Sequence, residues 1–210
     1  MSTVFPILLF GFVLGIKHAT EPDHVIAVST IASRTNKLSR SSLAGIFWGI
    51  GHTATLSVIG MIMIGMEKQI PEKTAMWLEL VVGVMIVALG IASFRSAYMN
   101  PIRKEMKINH LHVKSILIGI IHGLAGSAGM ILLTLTTVDN RLQALLFILI
   151  FGVGTIVGMM FFTTILGLPF IWMKDKRIVY QSIVKIASMI SILYGLYYMY
   201  HIGIGEGLLF

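Results

Sequence analysis

Cysteine is absent from the 210 residues. That excludes disulfides, thiolate zinc sites and dithiol redox chemistry, and with them the six-span thiol-disulfide electron carriers. Charge is scarce as well. Asp, Glu, Lys and Arg make up 12% of the chain, about half of the ~25% usual in a soluble domain. There is no P-loop, which argues against direct ATP hydrolysis by this chain. Neither H-E-x-x-H nor H-x-x-E-H occurs, which removes the intramembrane metalloprotease class. The basic first region and small-residue cleavage site of a signal peptide are missing, so the first apolar segment is expected to be retained.

What is present is apolar. Hydrophobic residues make up 56% of the chain, and the mean hydropathy is +0.89. A bilayer crossing needs about 20 apolar residues. Six such runs fill the sequence: Thr3–Ser33, Ser42–Gly65, Ala75–Met99, Ser115–Val138, Leu142–Met173 and Val179–Ile202. These predict an all-α membrane protein with one transmembrane domain, 1–210. The net charge of +7 raises nucleic-acid binding as a reading. The placement of the charges predicts no nucleic-acid partner, because they lie mainly in short connections, where an orientation signal belongs. Eleven Lys/Arg lie in or beside the first, third and fifth connections, three in the second and fourth, and Lys17 and Lys185 within spans. Cationic loops stay cytoplasmic. The expectation is an inner-membrane protein with both termini outside.

The first run is too long for one crossing. As a straight helix Thr3–Ser33 would extend about 46 Å, against a hydrocarbon core of about 30 Å. Pro22 lies inside it and cannot donate a helical hydrogen bond, so an interruption is expected there. The chain also repeats itself. Gly15-Ile16-Lys17-His18 resembles Gly119-Ile120-Ile121-His122, Gly49-Ile50-Gly51-His52 resembles Gly152-Val153-Gly154-Thr155, and Leu89-Gly90-Ile91 resembles Tyr194-Gly195-Leu196, at offsets of 103 to 105. Three spans per repeat put the halves, about 1–99 and 115–210, in opposite orientations. That is a 3+3 inverted repeat, whose sites lie near the midplane on interrupted helices.

Ionisable groups inside a bilayer are costly and are functional candidates. Five of nine fall in Lys17-His18-Ala19-Thr20-Glu21-Pro22-Asp23-His24. A polar loop ending the span at His18 is the alternative, against which the apolar run Val25–Ile31 follows. On an unbroken helix His18 and His24 would point about 120° apart. A break at Pro22 lets the two imidazoles and Asp23 converge. Such donors suit nickel, cobalt, zinc or copper better than magnesium or calcium. His52, in the small-residue stretch Gly49–Thr53, is expected as a further ligand. The metal set is therefore His18, Asp23, His24 and His52. Lys17, Glu21, Thr53, His122 and Ser127 are pathway or second-shell candidates, with a structural role open for His122. Glu79 and Lys185 are read as snorkelling to opposite interfaces. His110 and His112 are read as loop histidines, and His201 as a surface one.

The pieces His18-Ala19-Thr20-Glu21-Pro22-Asp23-His24, Gly51-His52-Thr53 and His122-Gly123-Leu124-Ala125-Gly126-Ser127 resemble the nickel/cobalt transporter (NicO) superfamily, particularly its short urease-accessory (UreH-like) membrane branch. The resemblance implies nickel or cobalt permeation, Ni2+ or Co2+ as cargo with no permanent cofactor, and metalloenzyme maturation proteins as candidate partners. It carries His18, Asp23, His24 and His52 over as signature positions. Energy-coupling-factor members have a histidine directly after the initiator methionine, where this chain has Ser2. Some exporters have a long histidine-rich loop, of which only His110 and His112 are matched. The ligands themselves imply only a soft-to-borderline divalent cation. A metal efflux permease and a non-transporting membrane assembly factor for a nickel enzyme remain the alternatives.

Overall fold

The structure is a computed structural model that describes residues 4–35, 37–66, 68, 70–99, 108–138, 140–173 and 175–209. Ser2, Arg103, Lys104, Lys107 and Lys174 of the expected end and loops lie outside the described residues. The described residues are helical almost throughout: α1 (Val4–His18), α2 (Pro22–Ala32), α3 (Leu38–Met66), α4 (Glu72–Met99), α5 (Ile108–Thr137), α6 (Arg141–Trp172) and α7 (Arg177–Tyr200), followed by a π-helical turn, His201–Gly205. α3 to α7 are each long and apolar enough to cross a bilayer. α1 is apolar but shorter.

The first run is two helices. Pro22 opens α2 with Glu21 as its N-cap residue in extended conformation, where a missing N–H costs nothing. The closing turn of α1 tightens, with Thr20 N donating to the Lys17 carbonyl at 2.9 Å and Glu21 N to that of His18 at 3.0 Å. Thr20 Oγ1 adds a second bond to the Lys17 carbonyl at 2.6 Å, and Val25 N starts α2 by donating to Glu21 at 3.0 Å. The break therefore leaves these backbone groups paired, as a low-dielectric setting demands.

α5 begins earlier than the apolar pattern implies, so His110 and His112 are helical and not loop residues. Packing explains the extension. Leu111 is buried, and the His112 ring stacks on Phe47 of α3 with centroids 4.2 Å apart. α6 runs unbroken through Pro169.

Close backbone approach, made possible by glycine, sets the helix pairs. α1 packs on α6, α3 on both α5 and α6, and α4 on α7. The contacts are reciprocal. A Cβ on Gly15 would strike the Phe151 carbonyl and Thr155 N, and one on Gly119 the Trp48 carbonyl and His52 N. Gly51 abuts Ile116 as Gly154 abuts Phe12, and Gly90 meets Ser188 and Ile192 as Gly195 meets Gly83 and Val87. Every residue in one contact corresponds to a residue of its counterpart at an offset of 103 to 105.

The interior holds polar side chains, while large apolar ones face outward. His24, His52, His122, Thr155, Thr163, Ser188 and Ser191 are buried, while Phe5, Val58, Trp77, Phe161 and Leu193 are exposed. So many large exposed apolar side chains suit a lipid-facing surface.

Candidate metal site

The break between α1 and α2 turns two imidazoles toward the same point. Glu21 holds one of them: its Oε2 lies 2.9 Å from His18 Nδ1. Asp23 Oδ1 lies 3.1 Å from His24 Nδ1. A carboxylate that accepts from Nδ1–H fixes the tautomer and leaves the Nε2 lone pair free, which is how a ligand imidazole is prepared. His18 Nε2 faces His52 Nε2 of α3 at 3.2 Å. His24 Nε2 and His52 Nδ1 are buried without a hydrogen-bond partner among the described residues. A buried polar group without a partner costs about 1–3 kcal/mol.

Donor atoms of His18, His24 and His52 lie within 4.8 Å of one another, and so do donor atoms of Asp23, His24 and His122. His24 is common to both. Asp23 Oδ2 is 3.6 Å from His122 Nε2, too long for a hydrogen bond. The four imidazoles are in ring contact, with centroids 4.6 Å apart for His18–His24 and for His24–His122.

His18, mostly buried, borders a pocket of about 290 Å³ that Lys17, Glu21, Glu79, Gly126, Gly129, Met130 and Phe151 help to line. Glu79 thus faces the same space as His18, where snorkelling toward an interface had been expected. α4 packs chiefly on α7 and also touches α5 and α2, and Glu79 lines the pocket from its side. Lys185 instead reaches the Tyr98 ring, 5.8 Å from its centroid. Thr53 and Ser127 are occupied elsewhere: Thr53 Oγ1 donates to the Gly152 carbonyl at 3.1 Å, and Ser127 Oγ to that of Leu124 at 2.7 Å. His201 lies away from the cluster, 3.3 Å from Glu206.

Sequence reasoning missed the walls. Trp48 lies 5.1 Å from His122 and stacks at 6.3 Å on His24, and Phe151 lies 5.4 Å from His18. Trp48 is four residues before His52 and so shares its helix face. Phe151 is the repeat counterpart of Trp48, at an offset of 103. Those two signals were available. Gly126 borders the cluster as well: a Cβ there would lie 3.6 Å from His52 Cε1 and 3.7 Å from His18 Nε2.

Apolar crossing-length helices with large apolar side chains facing outward make this a multi-pass membrane protein. "Urease accessory protein UreH" of Bacillus sp. (strain TB-90) is 49% identical over 215 aligned residues, which cover 96% of this chain and 94% of that protein. The chain belongs to the UreH family, a branch of the nickel/cobalt transporter superfamily. A provisionally named nickel/cobalt efflux system of Methanocaldococcus jannaschii is 27% identical over 203 residues, 91% of each chain. "Chloroplast protein FOR GROWTH AND FERTILITY 1" of Arabidopsis thaliana is 26% identical over 211 residues, 89% of this chain but 56% of its own length. The relatives' names describe accessory and efflux proteins, not enzymes. No family model and no solved structure matches the chain.

Proposed function

We propose that the chain carries a divalent transition metal, nickel before cobalt, across the cytoplasmic membrane through His18, His24 and His52, with Asp23 supplying the negative charge. The observation that carries this reading is the convergence of three imidazoles at a helix break beneath a polar pocket, with the Nε2 atoms of His18 and His52 3.2 Å apart. Metal–nitrogen bonds of about 2.0–2.1 Å put tetrahedral ligands about 3.3–3.4 Å apart, so this pair needs little movement to bind. Imidazole donors select for the nickel, cobalt, zinc and copper group. Within it, one relative's name gives nickel and cobalt together, and the urease accessory name of another supports nickel before cobalt. Three protein ligands leave the coordination open, as an ion that must be released requires. The metal is cargo, and no permanent cofactor is part of this reading.

Six crossings in a 3+3 inverted repeat, the first formed by α1 and α2 together, are the architecture of this proposal. The reciprocal glycine contacts between the halves support it, and alternating access by rocking of repeats then follows. With basic connections inside and both termini outside, the pocket above His18 opens outward: it lies where α4 begins, α5 ends and α6 begins. Lys17, Glu21 and Glu79 would meet the ion at its mouth. His122 lies beyond His24. Thr53 and Ser127 act through helix packing.

A membrane assembly factor that hands nickel to metalloenzyme maturation proteins is the second reading, favoured by the accessory name of the UreH relative. Flux separates the two. Purified protein in proteoliposomes should take up nickel saturably, and His18→Ala or His24→Ala should abolish uptake while inserting normally. Tight nickel binding without flux would support the assembly factor. Parental flux in both variants would sink the site.

A further inference from the structure

Four ligand-type side chains crowd around His24, and the donor atoms of the five fall into two sets of three that share His24. The first is His18, His24 and His52. The second is Asp23, His24 and His122. His18 of the first set lines the pocket, whereas His122 is buried and is grouped with Asp23 and His24, not with His18 or His52.

We propose that Asp23, His24 and His122 form a second position for the cation, reached from the first by exchanging His18 and His52 for Asp23 and His122 while His24 stays bound. This rests on the reading of the chain as a metal carrier. Three observations carry it. His122 Nε2 is buried without a hydrogen-bond partner and is 3.6 Å from Asp23 Oδ2, a gap that an ion between them would close. The His24 ring is equally near the rings of His18 and His122, at 4.6 Å, so the exchange needs no long passage of a bare ion. And the two exchanged imidazoles are repeat counterparts, at an offset of 104, each walled by the counterpart aromatic: His18 by Phe151 at 5.4 Å, His122 by Trp48 at 5.1 Å.

The charges give the step a direction. The donors of the first set are three neutral rings, with Glu21 and Asp23 behind two of them, whereas in the second set the Asp23 carboxylate is itself a donor. In a low-dielectric interior a dication is held better where a negative charge stands beside it. The position open to the pocket selects by imidazole, and the enclosed one retains by charge. In a rocking repeat pair the two ends of this exchange would open in turn, with His18 facing one side and His122 the other.

The test uses the full chain in nanodiscs with Co2+ alone as probe, whose visible absorption reports its ligands. The wild type should bind Co2+. His18→Ala/His52→Ala should still bind one Co2+ per chain, more weakly and with an altered spectrum, and adding His122→Ala should abolish that binding. His122→Ala alone should retain Co2+ on the first set yet lose roughly tenfold or more in proteoliposome flux, the scale on which removing metal-site partners acts. His122→Gln, which keeps the buried volume, should behave alike and guards against misfolding. The second position is overturned if the His18/His52 double variant inserts but binds no Co2+, or if His122→Ala and His122→Gln move metal at the parental rate. Absence of Co2+ from the wild type would instead overturn the carrier reading itself.

Discussion

At the scale of residues, the carboxylates decide what the histidines can do. Glu21 is exposed and Asp23 half-buried, yet each sits against an Nδ1, so both imidazoles present Nε2 inward. Glu21→Gln should therefore weaken nickel binding by about tenfold, the lower end of what an orienting partner contributes, while Glu72→Gln, at the start of α4, leaves it unchanged; isothermal titration reads both. Gly126 makes a sharper case. A single methyl there stands 3.7 Å from His18 Nε2, in ordinary contact but in the space where an ion and its water belong. Gly126→Val should insert and stay folded yet lose nickel affinity, and an unchanged titration would place the ion elsewhere. The pattern H-x-x-x-x-D-H made the convergence of His18, Asp23 and His24 legible in the sequence, because side chains around one proline are local. Glu79 was not legible. Its facing depends on how α4 packs against α7, α5 and α2, and nothing within α4 encodes that.

At the scale of elements, a proline and a set of glycines do most of the positioning. Pro22 placed the helix break correctly, since a residue that cannot donate is tolerated in the first turn of a new helix. The six apolar runs likewise foretold the helices to within a few residues at most ends. The start of α5 was hidden because its first turns are held by contact with α3, through Leu111 and His112, and not by hydropathy. The glycines were visible as repeats, but their partners were not. Gly119→Ala puts a Cβ onto the Trp48 carbonyl and His52 N, and Gly15→Ala onto the Phe151 carbonyl and Thr155 N. Backbone cannot rotate away, so each should destabilise by about 1–3 kcal/mol, as overpacking does. Gly65→Ala meets nothing within 4 Å and should be neutral or gain up to about 1 kcal/mol of helix propensity. Thermal unfolding in detergent would rank the three, and equal midpoints would remove the close-packing argument.

At the scale of the whole molecule, the proposed orientation and energetics can be tested together. The chain has no native cysteine, so single introduced thiols report cleanly. Ser39 and Glu72 lie at opposite ends of the α3 crossing. With basic connections inside, an impermeant maleimide should label Glu72→Cys in intact cells and Ser39→Cys only after permeabilisation. Labelling of both from outside would refute the arrangement. A dication entering from that outer side gains about 4.6 kcal/mol per 100 mV of inside-negative potential, twice the single-charge value. That is a bias of roughly a thousandfold or more in accumulation. No charge in the described spans needs to move with it, because the proposed ligands for the first position are neutral imidazoles. Nickel uptake into proteoliposomes should therefore rise steeply when a potassium gradient with valinomycin sets the interior negative, and fall when the gradient is reversed. Uptake indifferent to the sign of the potential would mean that a compensating cation leaves as nickel enters. The chain would then be an exchanger, and potential-driven entry through the imidazole set would be wrong.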